Sequence, residues 1–443
     1  MRVIVIGGVA AGMSAASKIK RTDKSVEVIV YEKGMHLSYG ACGLPYFVSN
    51  VNDDWKRMIA RTKEDFEAQG IMVRTQHEVV KVIPSDKKLI IRNLLTGDLL
   101  IDYYDKLMVA CGASPIIPDI PGTWLKGLYV LKTIEDAVML KEAAQRESVK
   151  NVVIVGGGYI GIEVVEAMAE LNKNVRCIEA SSRILAPFDS EISDIAAKEI
   201  SRHGIRLHTS EKVEAILGQD HVEAVKTDKG TYKADLVVMA IGVRPATQFL
   251  RDAGIRMSGN GAIIVDRELR TNISGIWAAG DCAEVYHRGM EENVFLPLGT
   301  VANKCGRIAG GNILGRHDKF IGALGSAAIK VLGLELGRTG MSENNAKHLG
   351  YDYSTVLVTA NDHPSYYPNP TPITIKLIYE KGSKRILGAQ AAGEKGAVLR
   401  IDVLAVAIHN RMTTEELGMA DLCYAPPFAG VWDAVHIACN AAR

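Results

Sequence analysis

Hydrophobic positions fall into two kinds of pattern along this chain. In the first two thirds, short strand-like runs of β-branched residues turn through glycine into alanine-rich, helix-like segments, as strands buried within a parallel sheet do. The run VIVIGGVAAG at 3–12 recurs as VVIVGGGYIG at 152–161. The same strand, turn and helix are therefore predicted twice. Each copy is followed by a second strand closed by an acid, Glu32 in VEVIVYEK and Glu179 in NVRCIEA. YDKLMVACGASPIIPDIPG at 104–122 and ADLVVMAIGVRPAT at 234–247 are each a strand followed by Gly-x-x-Pro, and read as paired crossings between two units. TNISGIWAAGDCAE at 271–284 reads as a further strand that ends on Gly280-Asp281. Over roughly the last 120 residues the pattern changes to alternation in ITIKLIYE and RILGAQAAG, followed by a helix-like RIDVLAVAIHNRM and a proline-rich turn at YAPPFAG. That segment predicts a separate domain of mixed α and β structure, with an apolar helix that offers a dimer surface.

The glycine turns carry chemistry. Gly156, Gly158 and Gly161 complete the G-x-G-x-x-G pattern of a Rossmann-like unit, in which glycines permit the tight turn, the approach of backbone to a pyrophosphate and close helix–strand packing. The first copy has Gly7 and Gly12 but Val9 at the middle position, which restricts that approach slightly. Glu32 and Glu179 lie 25 and 23 residues beyond Gly7 and Gly156, near the offset of about 20 expected of a ribose-binding carboxylate. One such fingerprint is weak evidence. Two with matching strands, helices and acids are strong.

Composition narrows the function classes. At 443 residues, a length of roughly 150 residues per domain suggests about three domains. With 47% hydrophobic and 23% charged residues and a net charge of +1, the chain lacks the basic field that nucleic-acid binding needs. No run approaches the ~18 apolar residues of a membrane span. The apolar N-terminus reads as a nucleotide-binding start rather than a secretory signal. Seven scattered cysteines with no CxxC pair argue against a disulfide framework and against a zinc or other metal site, and point to a reducing, cytoplasmic setting.

On these residues the chain resembles the pyridine nucleotide-disulfide oxidoreductases over essentially its whole length. With a lone cysteine, Cys42, in SYGACGLPY at 38–46, it is similar within them to the single-cysteine branch of CoA-disulfide reductases, NADH oxidases and NADH peroxidases. The resemblance implies an α/β, glutathione reductase-like fold with two Rossmann-like nucleotide-binding domains and a C-terminal α+β dimerisation domain. The expected boundaries are 1–114 and 246–322 for the two parts of an FAD-binding domain, 115–245 for an NAD(P)H-binding domain, and 323–443 for dimerisation. FAD is implied at Gly7, Gly8, Ala11, Gly12, Glu32, Lys33, Gly112, Asp281 and Ala302. The nicotinamide nucleotide is implied at Gly156, Gly158, Tyr159, Ile160, Gly161 and Glu179. Glu179 should repel a 2'-phosphate while Arg183 softens that repulsion, so NADH is expected to be preferred and NADPH tolerated.

SYGACGLPY at 38–46 places Cys42 alone, since Leu37 and Phe47, five residues either side, are not cysteines. The second sulfur must then come from substrate or from oxygen chemistry at Cys42. Gly40, Gly43 and Pro45 predict a helix start at Cys42, whose dipole would lower a thiol from ~8.5 by up to about one unit. The other six cysteines are expected to be buried apolar residues. The family's oxidases and peroxidases carry a histidine just inside the first helix, where this chain has Ala10 to Ser14 and its first histidine is His36. The resemblance to CoA-disulfide reductases maps CoA contacts onto Ser14, Lys18 and Arg21, which share one helix face, and onto Ser38, Ala41 and Asn303. A solvated helix face is the plainer reading of those charges. The resemblance also implies that Tyr424 and one of Tyr366 or Tyr367 reach the substrate sulfur across a homodimer interface. CoA disulfide is the leading substrate. CoA persulfide or polysulfide, and oxygen through a sulfenic acid, are the alternatives, and a redox-sensing protein without turnover is a third class. With no rhodanese-like segment after Arg443, a dedicated sulfur-relay enzyme is the less expected of these.

Overall fold

The structure, a computed structural model, describes residues 1–442. Strand Arg2–Ile6 lies at the centre of a parallel sheet in the order Ile276–Ala278, Lys106–Val109, Arg2–Ile6, Glu27–Tyr31, Ile71–Arg74. Val3, Ile4 and Val5 are wholly buried, as a strand covered on both faces requires. The second sheet repeats the plan in the order Arg206–His208, Asn174–Ile178, Asn151–Val155, Leu236–Met239, Leu128–Tyr129, again all parallel. In each sheet the strand that enters the glycine turn is central, and the strand that ends in an acid is its neighbour.

The turns need glycine for steric reasons. Gly7 and Gly156 take φ of 103° and 108°, a region costly for any residue with a Cβ. A side chain on Gly12 would sit 1.9 Å from the Gly7 carbonyl oxygen, and one on Gly161 2.0 Å from that of Gly156. The two Gly-x-x-Pro segments run side by side, Ala113–Pro115 pairing antiparallel with Val243–Pro245. Strand Ile276–Ala278 returns from beyond the second sheet to complete the first.

The C-terminal part is an antiparallel sheet in the order Ala327–Val331, Leu334–Gly340, Ile386–Gly393, Pro372–Glu380, Tyr353–Asn361. Helices Ala397–His409 and Ala434–Asn440 share its core through Ile375, Leu377, Ile401, Leu404 and Val435. The apolar helix begins earlier than its sequence pattern suggests, because Gly396 turns the chain in at φ 72°, and it ends before Arg411, which takes φ 58°. This part also grips the second nucleotide unit. Ile329, Val331 and Leu336 lie in one core with Ile162, Val165 and Ile192. Buried Glu166 accepts a hydrogen bond from the Leu332 amide at 2.7 Å and pairs with Lys330.

Two three-stranded antiparallel sheets, His77–Ile83 with Lys88–Asn93 and Leu99–Tyr103, and Val213–Leu217 with Ala224–Thr227 and Thr231–Lys233, are not distinguished by the hydrophobic pattern. Among the described residues no helix is long and apolar enough to cross a membrane. Nor, among them, is any group of three or more His, Cys, Asp or Glu residues placed to hold a metal ion.

Candidate active site

The segment around Cys42 is tied to both nucleotide units. The Ser38 amide donates to the Gly8 carbonyl at 3.0 Å, and Gly40 donates to Met58 at 2.9 Å. Ala41–Gly43 forms a single 3-10 turn that runs into the short helix Leu44–Val48. Leu44, Phe47 and Val48 are buried in the second unit's core beside Ile134, Leu140 and Ile162. Cys42 thus stands where the two units meet, and it is exposed.

The expected lowering of its thiol does not hold for the protein alone. A turn followed by five helical residues supplies little dipole. Burial by the surrounding walls is the largest influence and pushes the thiol up; the carboxylates of Glu163 and Asp281 push the same way, and Lys132 opposes them. Glu163 is itself raised to about 7, first by burial and then by Glu166. Lys132 pairs with Asp281 at 3.0 Å. Neither Lys132 nor Glu163 is marked in the sequence, since a lysine before a helix and a glutamate within one are ordinary.

The other cysteines divide. Cys177, Cys282, Cys305 and Cys439 are buried and Cys111 is half-buried, but Cys423 is exposed. The expectation of burial fails at Cys423 because it lies in the irregular, solvent-facing turn before the last helix. Cys282 turns into the sheet, its sulfur donating to the Ala279 carbonyl at 3.4 Å.

Both glycine turns fit a dinucleotide. Helices Ala10–Thr22, Tyr159–Glu170 and Gly299–Ile313 begin with no side-chain cap and no acid in the first turn, whereas Ile134–Ala144 is closed by a Thr133 and Asp136 capping box. Their first amides are left for an anion. A side chain on Gly158 would meet nothing within 4 Å, so nothing in the protein itself accounts for its absence, and the space fits a pyrophosphate drawn close to the backbone. Glu32 accepts from the Gly8 and Gly34 amides, both at 2.6 Å. Glu179 accepts from Gly157 at 2.6 Å and Ser181 at 2.7 Å. Each acid therefore sits on its own turn. Ala11 and Ala302 converge on Gly280, next to Asp281, while Lys33 is exposed beside Glu32. Gly112, at φ 70°, has open space where a side chain would stand. Tyr159 packs on Phe188 with its hydroxyl buried, and Ile160 follows it half-buried.

A cleft of about 530 Å³ opens between the first helix, the Cys42 segment and helix Gly299–Ile313. Ser14, Arg21, Ser38 and Asn303 line it, joined by Arg61 and Arg307. Ser14 donates to Asn303 at 2.8 Å. Lys18 and Ala41 are not on its walls. Lys18 shares a face with Ser14 and Arg21 in sequence, but Gly306 and Gly310 draw the two helices together and its stem lies along them: a side chain on Gly310 would meet Lys18 Cβ at 3.1 Å. Arg61, Lys304 and Arg307, which also line it, carry no mark in the sequence. The spacing of Asn303 and Arg307, one turn apart, is the signal that could have found the last.

The tyrosines sort themselves. Tyr366 and Tyr424 share a hydroxyl–hydroxyl bond of 2.9 Å, whereas Tyr367 stands edge-on to His363 at 5.4 Å. Arg400 ties the roots of both loops, donating to the Asp362 carbonyl at 2.8 Å and pairing with Asp433 at 2.7 Å. None of these tyrosines lines the cleft of its own chain.

Two glycine-turn dinucleotide units meeting at a reachable thiol define a nucleotide-dependent oxidoreductase. Residues 1–295 match the pyridine nucleotide-disulphide oxidoreductase family and residues 326–435 match its dimerisation domain. The chain belongs to this family and is an FAD-dependent NAD(P)H oxidoreductase. It is 39% identical to an NAD(P)H sulfur oxidoreductase (CoA-dependent) of Pyrococcus furiosus, over 98% of this chain and 97% of that protein. It is 33% identical to an NADH oxidase of Enterococcus faecalis (100% and 99%) and 30% identical to a coenzyme A disulfide reductase of Staphylococcus aureus (98% and 98%). Among solved structures, reduced Bacillus anthracis CoADR-RHD superposes with a TM-score of 0.96 at 33% identity, covering all of this chain and 80% of that one. An NAD-dependent persulfide reductase from A. fulgidus gives 0.96 at 36%, covering all of this chain and 83% of that one.

Proposed function

We propose that this protein uses NADH to reduce the disulfide of coenzyme A, with Cys42 as the one protein thiol in the cycle. The observation that carries the reading is the cationic cleft beside the Cys42 segment. Arg21, Arg61, Lys304 and Arg307 line it together with Ser14, Ser38 and Asn303. Its volume of about 530 Å³ is within the range of ligand pockets, and guanidinium groups suit the several phosphates of a CoA nucleotide.

The balance is simple: CoA disulfide, NADH and a proton give two CoA thiols and NAD⁺. Gly7, Gly8, Ala11, Gly12, Glu32, Lys33, Gly112, Asp281 and Ala302 would hold FAD, which when bound would supply the passage of two electrons between nucleotide and sulfur. Cys42 as thiolate attacks one sulfur of the substrate, the disulfide breaks, and the leaving CoA thiolate takes a proton. The resulting Cys42–CoA disulfide is then reduced, releasing the second CoA. Tyr424 would hold or protonate the leaving sulfur, and Tyr366 is its partner because the two hydroxyls are bonded. These tyrosines would come from the second subunit of a homodimer. Leu399, Val406, Met419, Phe428, Val431 and Trp432 expose an apolar surface on the dimerisation domain that such a subunit would cover. Ala41 and Lys18 would stand outside the first ring of contacts. NADH, preferred over NADPH, would lie at Gly156, Gly158, Tyr159, Ile160 and Gly161, with Glu179 on its ribose.

CoA persulfide or polysulfide is the second reading, favoured because the CoA-dependent sulfur oxidoreductases reach 38–39% identity against 30% for the disulfide reductase. Anaerobic NADH oxidation by the purified protein with CoA disulfide, CoA persulfide, glutathione disulfide and cystine separates the two. Fast turnover with CoA disulfide but not glutathione disulfide supports the first. Fast turnover with persulfide alone moves the assignment to the second, and turnover only after oxygen is admitted makes the protein an oxidase.

A further inference from the structure

The C-terminal domain contains a buried charge that neither the sulfur chemistry nor the dimer surface uses. Lys376, in the interior of strand Pro372–Glu380, is 1% exposed. Its ammonium lies 2.7 Å from Glu343, 2.9 Å from both carboxylate oxygens of Glu191 and 3.4 Å from Asp189. Glu343 belongs to the same domain, but Asp189 and Glu191 belong to the second nucleotide unit. Gln390, cross-strand neighbour of Lys376, completes the joint: its carbonyl accepts from the Asp189 amide at 2.7 Å and its amide donates to the Asp189 carboxylate at 2.8 Å. Burial works against the charge of Glu191, yet its bonds to Lys376 hold the carboxyl below its usual value.

Asp189 and Glu191 start helix Ser190–Arg202 and end the loop that leaves strand Asn174–Ile178 at Glu179. That loop presses on the second glycine turn. The Leu185 amide donates to the Gly157 carbonyl at 2.7 Å, and Ile184 fills the space that a side chain on Gly157 would occupy, 2.7 Å from its position. Ser193, in the first turn of the helix, donates to the Ile184 carbonyl at 2.7 Å. Leu185 is held at φ 48°, a conformation a leucine adopts only when its surroundings impose it. A continuous set of bonds therefore runs from Lys376 through the helix start to the turn.

We propose that Lys376 is a positioning residue of the nicotinamide-nucleotide site: from the dimerisation domain it fixes loop 179–189, with Glu179 and Arg183, against the Gly156–Gly161 turn, and so sets affinity for the nucleotide and discrimination between NADH and NADPH. This rests on the proposed placement of the nucleotide and is independent of the disulfide substrate. Removing the lysine leaves three carboxylates facing one another, which drives Asp189 and Glu191 apart and frees the loop.

The test is anaerobic stopped-flow reduction of the FAD-loaded Lys376→Met and Glu191→Gln proteins by NADH and by NADPH. For Lys376→Met the expected result is a rise of roughly tenfold in the NADH concentration at half-saturation, with the limiting rate within about twofold and the preference for NADH over NADPH reduced. Glu191→Gln, which keeps the lysine, should move the same quantities less, and it decides the question if Lys376→Met does not fold. Unchanged half-saturation and unchanged preference would overturn the proposal, as would loss of bound FAD in parallel with loss of NADH affinity, which would mean general unfolding. Gly158→Ala run alongside isolates the placement: no effect there condemns the nucleotide site itself, whereas an effect there with none at Lys376 condemns only the anchor.

Discussion

At the scale of single residues, the pair that matters is Cys42 and Glu163. The thiol is pushed up in the protein without cofactor, so its thiolate is the minor form at neutral pH and must be favoured by something the chain does not supply. Alkylation of the FAD-free protein at Cys42 by iodoacetamide should accordingly still be rising at pH 9; a plateau by pH 8 would contradict the direction. Cys42→Ser should keep FAD and flavin reduction by NADH but lose at least a thousandfold in disulfide turnover, as removal of a nucleophile does. Glu163 works on stability. Raised to about 7 from 4.5, it is protonated in both folded and unfolded chains below about pH 4, and between the two values ionisation favours the unfolded chain. Its contribution is thus present at low pH and lost as pH rises through 7. In the FAD-free protein Glu163→Gln should be up to ~3 kcal/mol more stable than its parent at pH 8 and equal to it near pH 4, read by denaturant titration at the two pH values.

At the scale of elements, the two glycine turns show what sequence expresses and what it leaves out. Gly156 and Gly161 are needed by the protein's own packing, and Gly158 is not. Gly161→Ala should therefore destabilise by about 1–3 kcal/mol, while Gly158→Ala should leave the melting temperature alone and weaken NADH binding; calorimetry and NADH titration of the two variants distinguish these outcomes. The strands, turns and acids were legible because their signal is local: β-branched runs, glycines at fixed offsets, an acid at a strand end. The site was legible in part. Ser14, Arg21, Ser38 and Asn303 meet in the cleft, but Arg61, Lys304 and Arg307 reach it only because three separate segments fold together, and Lys18 leaves it because of glycines on a helix nearly 300 residues away. The setting of Cys42 departs from the sequence expectation for a similar reason. A glycine-flanked segment suggests a helix start, but helix length, and the carboxylates that other elements bring near, decide the thiol.

At the scale of the whole molecule, the exposed apolar residues of the C-terminal domain and the shared roots of the tyrosine loops point to function in pairs. Replacing Phe428 and Trp432 together by aspartate should yield a monomer by sedimentation, with flavin reduction by NADH retained and disulfide turnover lost. A dimer that survives this change would place the interface elsewhere. The first sheet carries another consequence. Its strand Ile276–Ala278 closes against Lys106–Val109 only after a whole second domain has been made in between. On a ribosome adding about 5–20 residues per second, the flank of Leu107 and Val109 stays uncovered for roughly ten to thirty seconds. Throughout that interval the nascent chain presents an apolar, unpaired strand edge. Until strand Ile276–Ala278 arrives, that edge is open to pairing with the wrong strand.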